Sequence, residues 1–172
     1  MSRSGYTNDG DDNWALIRWR GAVNRALTGA RGQAFLRELL AALDAMPEKS
    51  LVSSELESGG EFCALGVVGR ARGIDLTGID TEDWQQVSDE FGIAGAMARE
   101  IMWENDECVM EYEWRQVEIC GPLRSQFDRH KQSRRVHIAA TGERRWNYMR
   151  NWALSNLKNP HIHAQGASDE SR

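Results

Sequence analysis

The sequence predicts a mainly α-helical domain of α+β character. It reads as a helical bundle of about five or six helices with a small antiparallel β element inserted before the last helix. Three observations predict this. Apolar residues recur at three- and four-residue intervals along most of the chain, which marks one buried face on each helix. From Cys108 the period changes to two, as in a half-buried strand. Glycine, asparagine and proline signals separate the periodic stretches.

Residues 1–12 are rich in Gly, Asp, Ser and Asn and are expected to form a mobile acidic arm. Asn13 or Asp12 can cap a helix from Trp14, with Leu16, Trp19, Val23, Ala26 and Leu27 as its core stripe. Gly29 and Gly32 are expected to bracket a short turn. Residues 33–46 then give the clearest helix, with Phe35, Leu36, Leu39, Leu40, Leu43 and Met46 on one broad face. Pro47 ends it, because the residue before a proline disfavours helix.

Two apolar runs, Leu51–Leu56 and Phe62–Gly66, flank Gly59-Gly60 and suggest a β-hairpin. The second run can instead open a helix from Cys63 to Arg72, stopped by Gly73. A helix is expected over 82–90 with Asp80 or Thr81 as its cap, and another from Ile93 to Asn105. Met110, Tyr112 and Trp114 alternate as in a strand. Val117 and Ile119 have the opposite parity, so a bulge or turn is expected near Arg115-Gln116. Gly121–Ser133 reads as a long polar loop, and Val136 with Ile138 as a third short strand. The last helix follows Thr141-Gly142, with Trp146, Met149, Ala153 and Leu157 inward and Asn159-Pro160 as its stop. The organisation is therefore an arm over 1–12, one globular domain over 13–158 containing a strand and loop insertion at 108–142, and a disordered tail over 159–172.

A chain of 172 residues can bury a sizeable core without disulfides or metal. The net charge of −5 argues against indiscriminate DNA coating and is too mild for a whole-surface DNA mimic. No apolar run reaches the length of about 18 residues that a membrane-spanning helix needs. The polar N-terminus lacks a signal-peptide core, so a cytoplasmic protein is expected. Cys63, Cys108 and Cys120 are an odd set, which fits reduced thiols.

Several segments together resemble a group of small proteins encoded by phages and prophages of proteobacteria. They are DGDDNWALIRWRGAVNRAL, RGQAFLRELLAALDAMPEK, the hairpin leading into CALG, FGIAGAMAREIMWENDE, and a closing helix of the RRWNYMRNW type. The resemblance covers roughly residues 5–107 and 143–157 and brings no functional residue with it. In that group the link from ENDE to the last helix is shorter, which implies that 108–142 is an insertion on a shared scaffold. The resemblance also implies a small host-interacting protein, with inhibitors of bacterial defence systems as one form.

The candidate chemistry is sparse. Cys108, Cys120, His130 and His137 match no zinc-finger or ribbon spacing. His161 and His163 fall in the expected tail. Cys63 would be activated at a helix N-terminus, but its apolar neighbours favour a buried structural thiol. Gly66, Gly69 and Gly73 lack the order and the lysine of a phosphate-binding loop. Asp9, Asp11 and Asp12 lack the later ligands of a calcium loop. No metal, no cofactor and no catalytic set is expected.

The strongest signal is charge segregation. An acidic run, Glu100, Glu104, Asp106, Glu107, Glu111, Glu113 and Glu118, precedes a basic one. The basic run holds Arg124, Arg129, Lys131, Arg134 and Arg135, then Arg144, Arg145 and Arg150. Glu104, Asp106, Glu107, Glu111 and Glu113 are expected on an acidic surface. Arg124, Arg129, Lys131, Arg134, Arg135 and Arg145 are expected to form a partner-binding strip, with Tyr148 and Trp152 as aromatic contacts. The bland alternative is that the two runs pair with each other at the surface. The favoured reading is a non-enzymatic protein that binds a host or phage protein through 108–142. The alternative is a nucleic-acid binder using the basic strip 124–150, and the second alternative an enzyme acting through Cys63 or the carboxylates of 104–107. No membrane partner is expected.

Overall fold

A computed structural model describes residues 13–109, 111–118, 131–138 and 140–158. The expectations for the acidic arm, for the loop at 121–130 and for the tail over 159–172 lie outside these residues. The described chain has six helices and two small antiparallel sheets, as the sequence predicts.

Helix α1 spans Asn13–Thr28 and α2 spans Ala30–Ala45. The turn between them is tighter than expected. Gly29 alone forms it, donating to Arg25 O at 3.0 Å and accepting from Gln33 N at 2.9 Å. Gly32 lies inside α2 rather than in the turn, and a Cβ there would strike the Ala26 carbonyl. Glycine thus permits the close approach of the two helices. Buried Gln33 secures the corner: its Nε2 donates to Leu27 O at 2.8 Å and to Asn156 O at 2.9 Å.

The Gly-Gly hairpin forms, but it is short. β1 (Glu57–Ser58) pairs antiparallel with β2 (Glu61–Phe62) around Gly59 and Gly60, both at positive φ. The whole first apolar run, Leu51–Leu56, is irregular and precedes β1, with Leu51 and Leu56 buried. The second run enters α3 (Ala64–Arg72), so here the helical alternative holds. Cys63 caps it by accepting from Gly66 N, and Gly73 closes it in the left-handed conformation.

Helix α4 (Trp84–Phe91) is capped by Asp83, which accepts from Gln85 N and Gln86 N, and not by Asp80 or Thr81. Helix α5 (Gly95–Asp106) starts two residues later than Ile93. Helix α6 (Gly142–Asn156) begins at Thr141, whose hydroxyl accepts from Arg144 N, and it ends before Asn159-Pro160. α2 packs on α1, α3 and α6, while α5 packs on α1, α3, α4 and α6. These two helices carry the centre of the core: Leu36, Leu39 and Leu43 from α2, Met97, Ile101 and Met102 from α5. Phe35 meets Phe91 edge-on at 6.5 Å. Each such side chain contributes about 1.5–3 kcal/mol by burial.

The remaining sheet is a ribbon, β3 (Glu111–Glu118) with β4 (Lys131–Ile138). Its register runs unbroken from Glu111 opposite Ile138 to Glu118 opposite Lys131. The expected bulge at Arg115-Gln116 is therefore absent, and the two strands predicted on either side of it are one. Residues 131–133, assigned to the loop from sequence, belong to β4.

Candidate functional site: the β3–β4 ribbon

Directly opposed residues of an antiparallel pair share a face, and successive residues alternate between faces. The register therefore sorts the ribbon. One face carries Tyr112, Trp114 and Gln116 beside His137, Arg135 and Ser133. The other carries Glu113 and Arg115 beside Val136 and Arg134.

The first face is aromatic and cationic. Trp114 is 73% exposed and Tyr112 42% exposed. Arg135 stands opposite Trp114, and its guanidinium carbon lies 4.0 Å from the Tyr112 ring centroid. His137 meets the same ring edge-on at 5.5 Å. On the second face Glu113 forms an ion pair with Arg115, and Val136 and Ile138 are half-buried. The ribbon's strands pack on each other far more than on any helix. Its aromatic face is thus presented to solvent, away from the core.

This register also divides the expected basic strip. Arg134 and Arg135 are adjacent in sequence but lie on opposite faces. Lys131 sits at the end of β4 opposite Glu118. Arg124 and Arg129 lie outside the described residues. Arg144 is exposed on α6, and Arg150 is bound to Asp44 of α2 through Nε at 2.6 Å.

Arg145 is a correction. It is buried, not on a partner-binding surface. Its Nε donates to Asn105 O at 2.9 Å and its Nη1 to Leu51 O at 3.0 Å. Desolvation pulls its pKa below the ordinary value, yet a guanidinium stays charged. Tyr148 and Trp152, expected as aromatic contacts, lie partly inward. Both are half-buried against the core, and the Tyr148 hydroxyl donates to Glu104 Oε2 at 2.6 Å.

The acidic surface is likewise revised. Glu104 is buried, contrary to expectation, beneath Tyr148 and the half-buried Cys108. Burial first, and then the negative charge of Glu104, push the Cys108 thiol upward. Asp106 is half-buried and accepts from Ser54 N at 3.0 Å. Glu107 is exposed at the α5 C-cap. Glu111 is at the start of β3, opposite Ile138.

Cys63 does cap a helix, but complete burial dominates and pushes its pKa up to about 12. Of the sparse zinc set, Cys120 and His130 lie outside the described residues. Among the described residues no group of His, Cys, Asp and Glu could hold a metal. The glycines at 66 and 69 serve packing within α3: a Cβ on Gly66 would strike the Leu56 carbonyl. A cleft of about 380 Å³ lies between the end of α2, β2 and α3, and its one cation, Arg70, stacks over Phe62 at 4.9 Å.

One exposed pair escaped the sequence reading. Trp14 and Ile17, three apart on α1, are 71% and 57% exposed. Their spacing off the Leu16, Trp19, Val23 stripe was the available signal. No helix of the described residues is long and apolar enough to cross a membrane. No protein-family model matches the chain, and neither a curated protein nor a solved structure is significantly similar to it.

Proposed function

We propose that this chain is a non-enzymatic interaction protein that presents the β3–β4 ribbon to a protein partner. One observation carries the reading: Trp114 and Arg135 stand opposite each other on a solvent-facing strand pair, with Tyr112 beside them. Tryptophan, tyrosine and arginine are the residue types that dominate interface energies when a partner buries them. A large exposed aromatic on a ribbon that adds little to the core has no evident stabilising role. Under this reading the phage and prophage resemblance makes a host bacterial protein the partner, and inhibition of a defence system the form of action.

Nucleic-acid binding is the second reading, favoured by the same face, since Trp114 beside Arg135 offers a stacking platform. It ranks lower because a phosphate strip needs several cations on one surface. Here Arg145 is buried, Arg150 is held by Asp44, and Arg134 faces away from Arg135.

The test is affinity capture from nuclease-treated host lysate, using the wild-type chain and the Trp114→Ala/Arg135→Ala variant. The expected result is a stoichiometric protein that survives high salt on the wild type and is missing from the variant. Capture of the same protein by both would remove the ribbon from the interface. Recovery of nucleic acid alone from untreated lysate, lost at high salt, would favour the second reading.

A further inference from the structure

We propose that the outer edge of β4 receives an acidic, extended segment of the partner as a third strand. The proposal rests on the reading that the ribbon is the interface and names how that interface recognises its ligand.

β4 is eight residues long and has β3 as its neighbour on one side; no other described strand pairs with it. The amides and carbonyls that alternate along its second edge are a template for a further strand. Charge decides what that strand can be. β4 carries Lys131, Arg134 and Arg135 and no acidic residue, whereas β3 carries Glu111, Glu113 and Glu118 against Arg115 alone. The two edges of the ribbon are thus opposite in sign. Charged edges normally reject further strands, and a basic edge rejects basic or neutral ones while admitting an acidic one.

The placement of Arg134 and Arg135 on opposite faces supports strand addition in particular. A flat anionic surface, approaching one face, can engage only one of them. An added strand projects alternate side chains to both faces, so acidic residues at adjoining positions meet both arginines. On the aromatic face the same strand runs beside Arg135 and His137, next to exposed Trp114.

The probe is an eight-residue peptide of alternating Glu-Glu and Val-Val pairs, capped at both ends, so that glutamates project to both faces. A lysine–valine counterpart and a glutamate–valine peptide interrupted by proline are the controls. Binding is read by fluorescence anisotropy, and its location by amide hydrogen exchange across 111–118 and 131–138. The acidic peptide should bind at least about ten-fold tighter than the basic one, since two cross-strand charge pairs change from repulsive to attractive. It should slow exchange at alternate amides of β4, and proline should abolish both effects. Arg134→Glu/Arg135→Glu should reverse the preference, and the milder Arg134→Gln/Arg135→Gln should erase it. Equal binding of both charges, protection of β3 instead of β4, or undiminished binding of the proline peptide would overturn the proposal. So would concentration-dependent self-association that the peptide cannot displace, which would assign the edge to β3 of a second copy. If partner capture requires Trp114 while the acidic peptide leaves β4 unprotected, the interface reading stands and strand addition alone falls.

Discussion

Tyr148 donates its hydroxyl to Glu104 Oε2 at 2.6 Å, joining α6 to α5 through a carboxylate that is buried rather than solvated. Burial and this hydrogen bond both push the Tyr148 pKa above its ordinary value. Tyr148→Phe leaves Glu104 short of a donor and should lower the unfolding free energy by about 1–3 kcal/mol. On a Glu104→Leu background the same change should cost much less. Urea denaturation of the four proteins of this cycle measures the coupling. Equal losses on both backgrounds would show that the bond carries none of the effect.

Arg145 ties together distant parts of the chain. It bonds the carbonyls of Leu51 and Asn105, while Asn105 itself accepts from Ala64 N at 3.2 Å and donates to Val52 O at 2.9 Å. The irregular segment after α2, the start of α3, the end of α5 and the start of α6 meet there. Arg145→Met strands two buried carbonyls and should cost on the order of 3 kcal/mol. Arg145→Lys should rescue little, because an ammonium cannot reproduce the fork that spans both acceptors. A loss below about 1 kcal/mol for the methionine variant would contradict this role.

The helical core was legible because its apolar period is unambiguous. Leu36, Leu39, Leu40 and Leu43 place α2 from sequence, and the Cys63 cap with the Gly73 stop brackets α3. The site was less legible, for two physical reasons. Charge suggested exposure, yet Arg145 precedes Met149 and Ala153 by four and eight residues, and Glu104 follows Ile101 by three. Both sit on buried stripes, and the stripe prevails when hydrogen bonds satisfy the charge. The parity switch at Val117 suggested a bulge because the alternation rule assumes one buried face. Here Tyr112 and Trp114 lie on the exposed face while Val136 and Ile138 on the other are half-buried, so the parity switch marks a change of face within one unbroken strand.

The Cys63 thiol should be inert in the folded protein. Its pKa, pushed up to about 12 by burial, leaves very little thiolate at neutral pH. Alkylation mapped by mass spectrometry at pH 8 should be at least about a hundred-fold slower at Cys63 in the native chain than in urea. Comparable rates would mean that the segment around the α3 N-terminus opens freely.

Glu38 and Arg72 set a pH dependence with a definite sign. Arg72 donates through Nε and Nη2 to the two carboxylate oxygens, each at 2.6 Å, and holds Glu38 below its ordinary pKa of 4.5. The unfolded chain titrates near the ordinary value and the folded chain lower. The pair's contribution is therefore fully present above pH 4.5 and is lost as pH falls below it. Wild type should melt above Glu38→Gln at pH 7, and the gap should close as pH is lowered through the carboxylate range. A gap that widens on acidification would reverse the assigned sign.

Two exposed aromatic sites compete for the role of interface, Trp114 on the ribbon and Trp14 on α1. The most direct measurement compares the affinity of the captured partner for Trp114→Ala/Arg135→Ala and for Trp14→Ala/Ile17→Ala. Unchanged melting of the helical body in both variants is the control. The ribbon variant should lose at least about a hundred-fold in affinity, as truncation of paired hot-spot residues does, with the α1 variant near wild type. Full affinity in the ribbon variant and loss in the α1 variant would contradict the account and move the interface to the first helix.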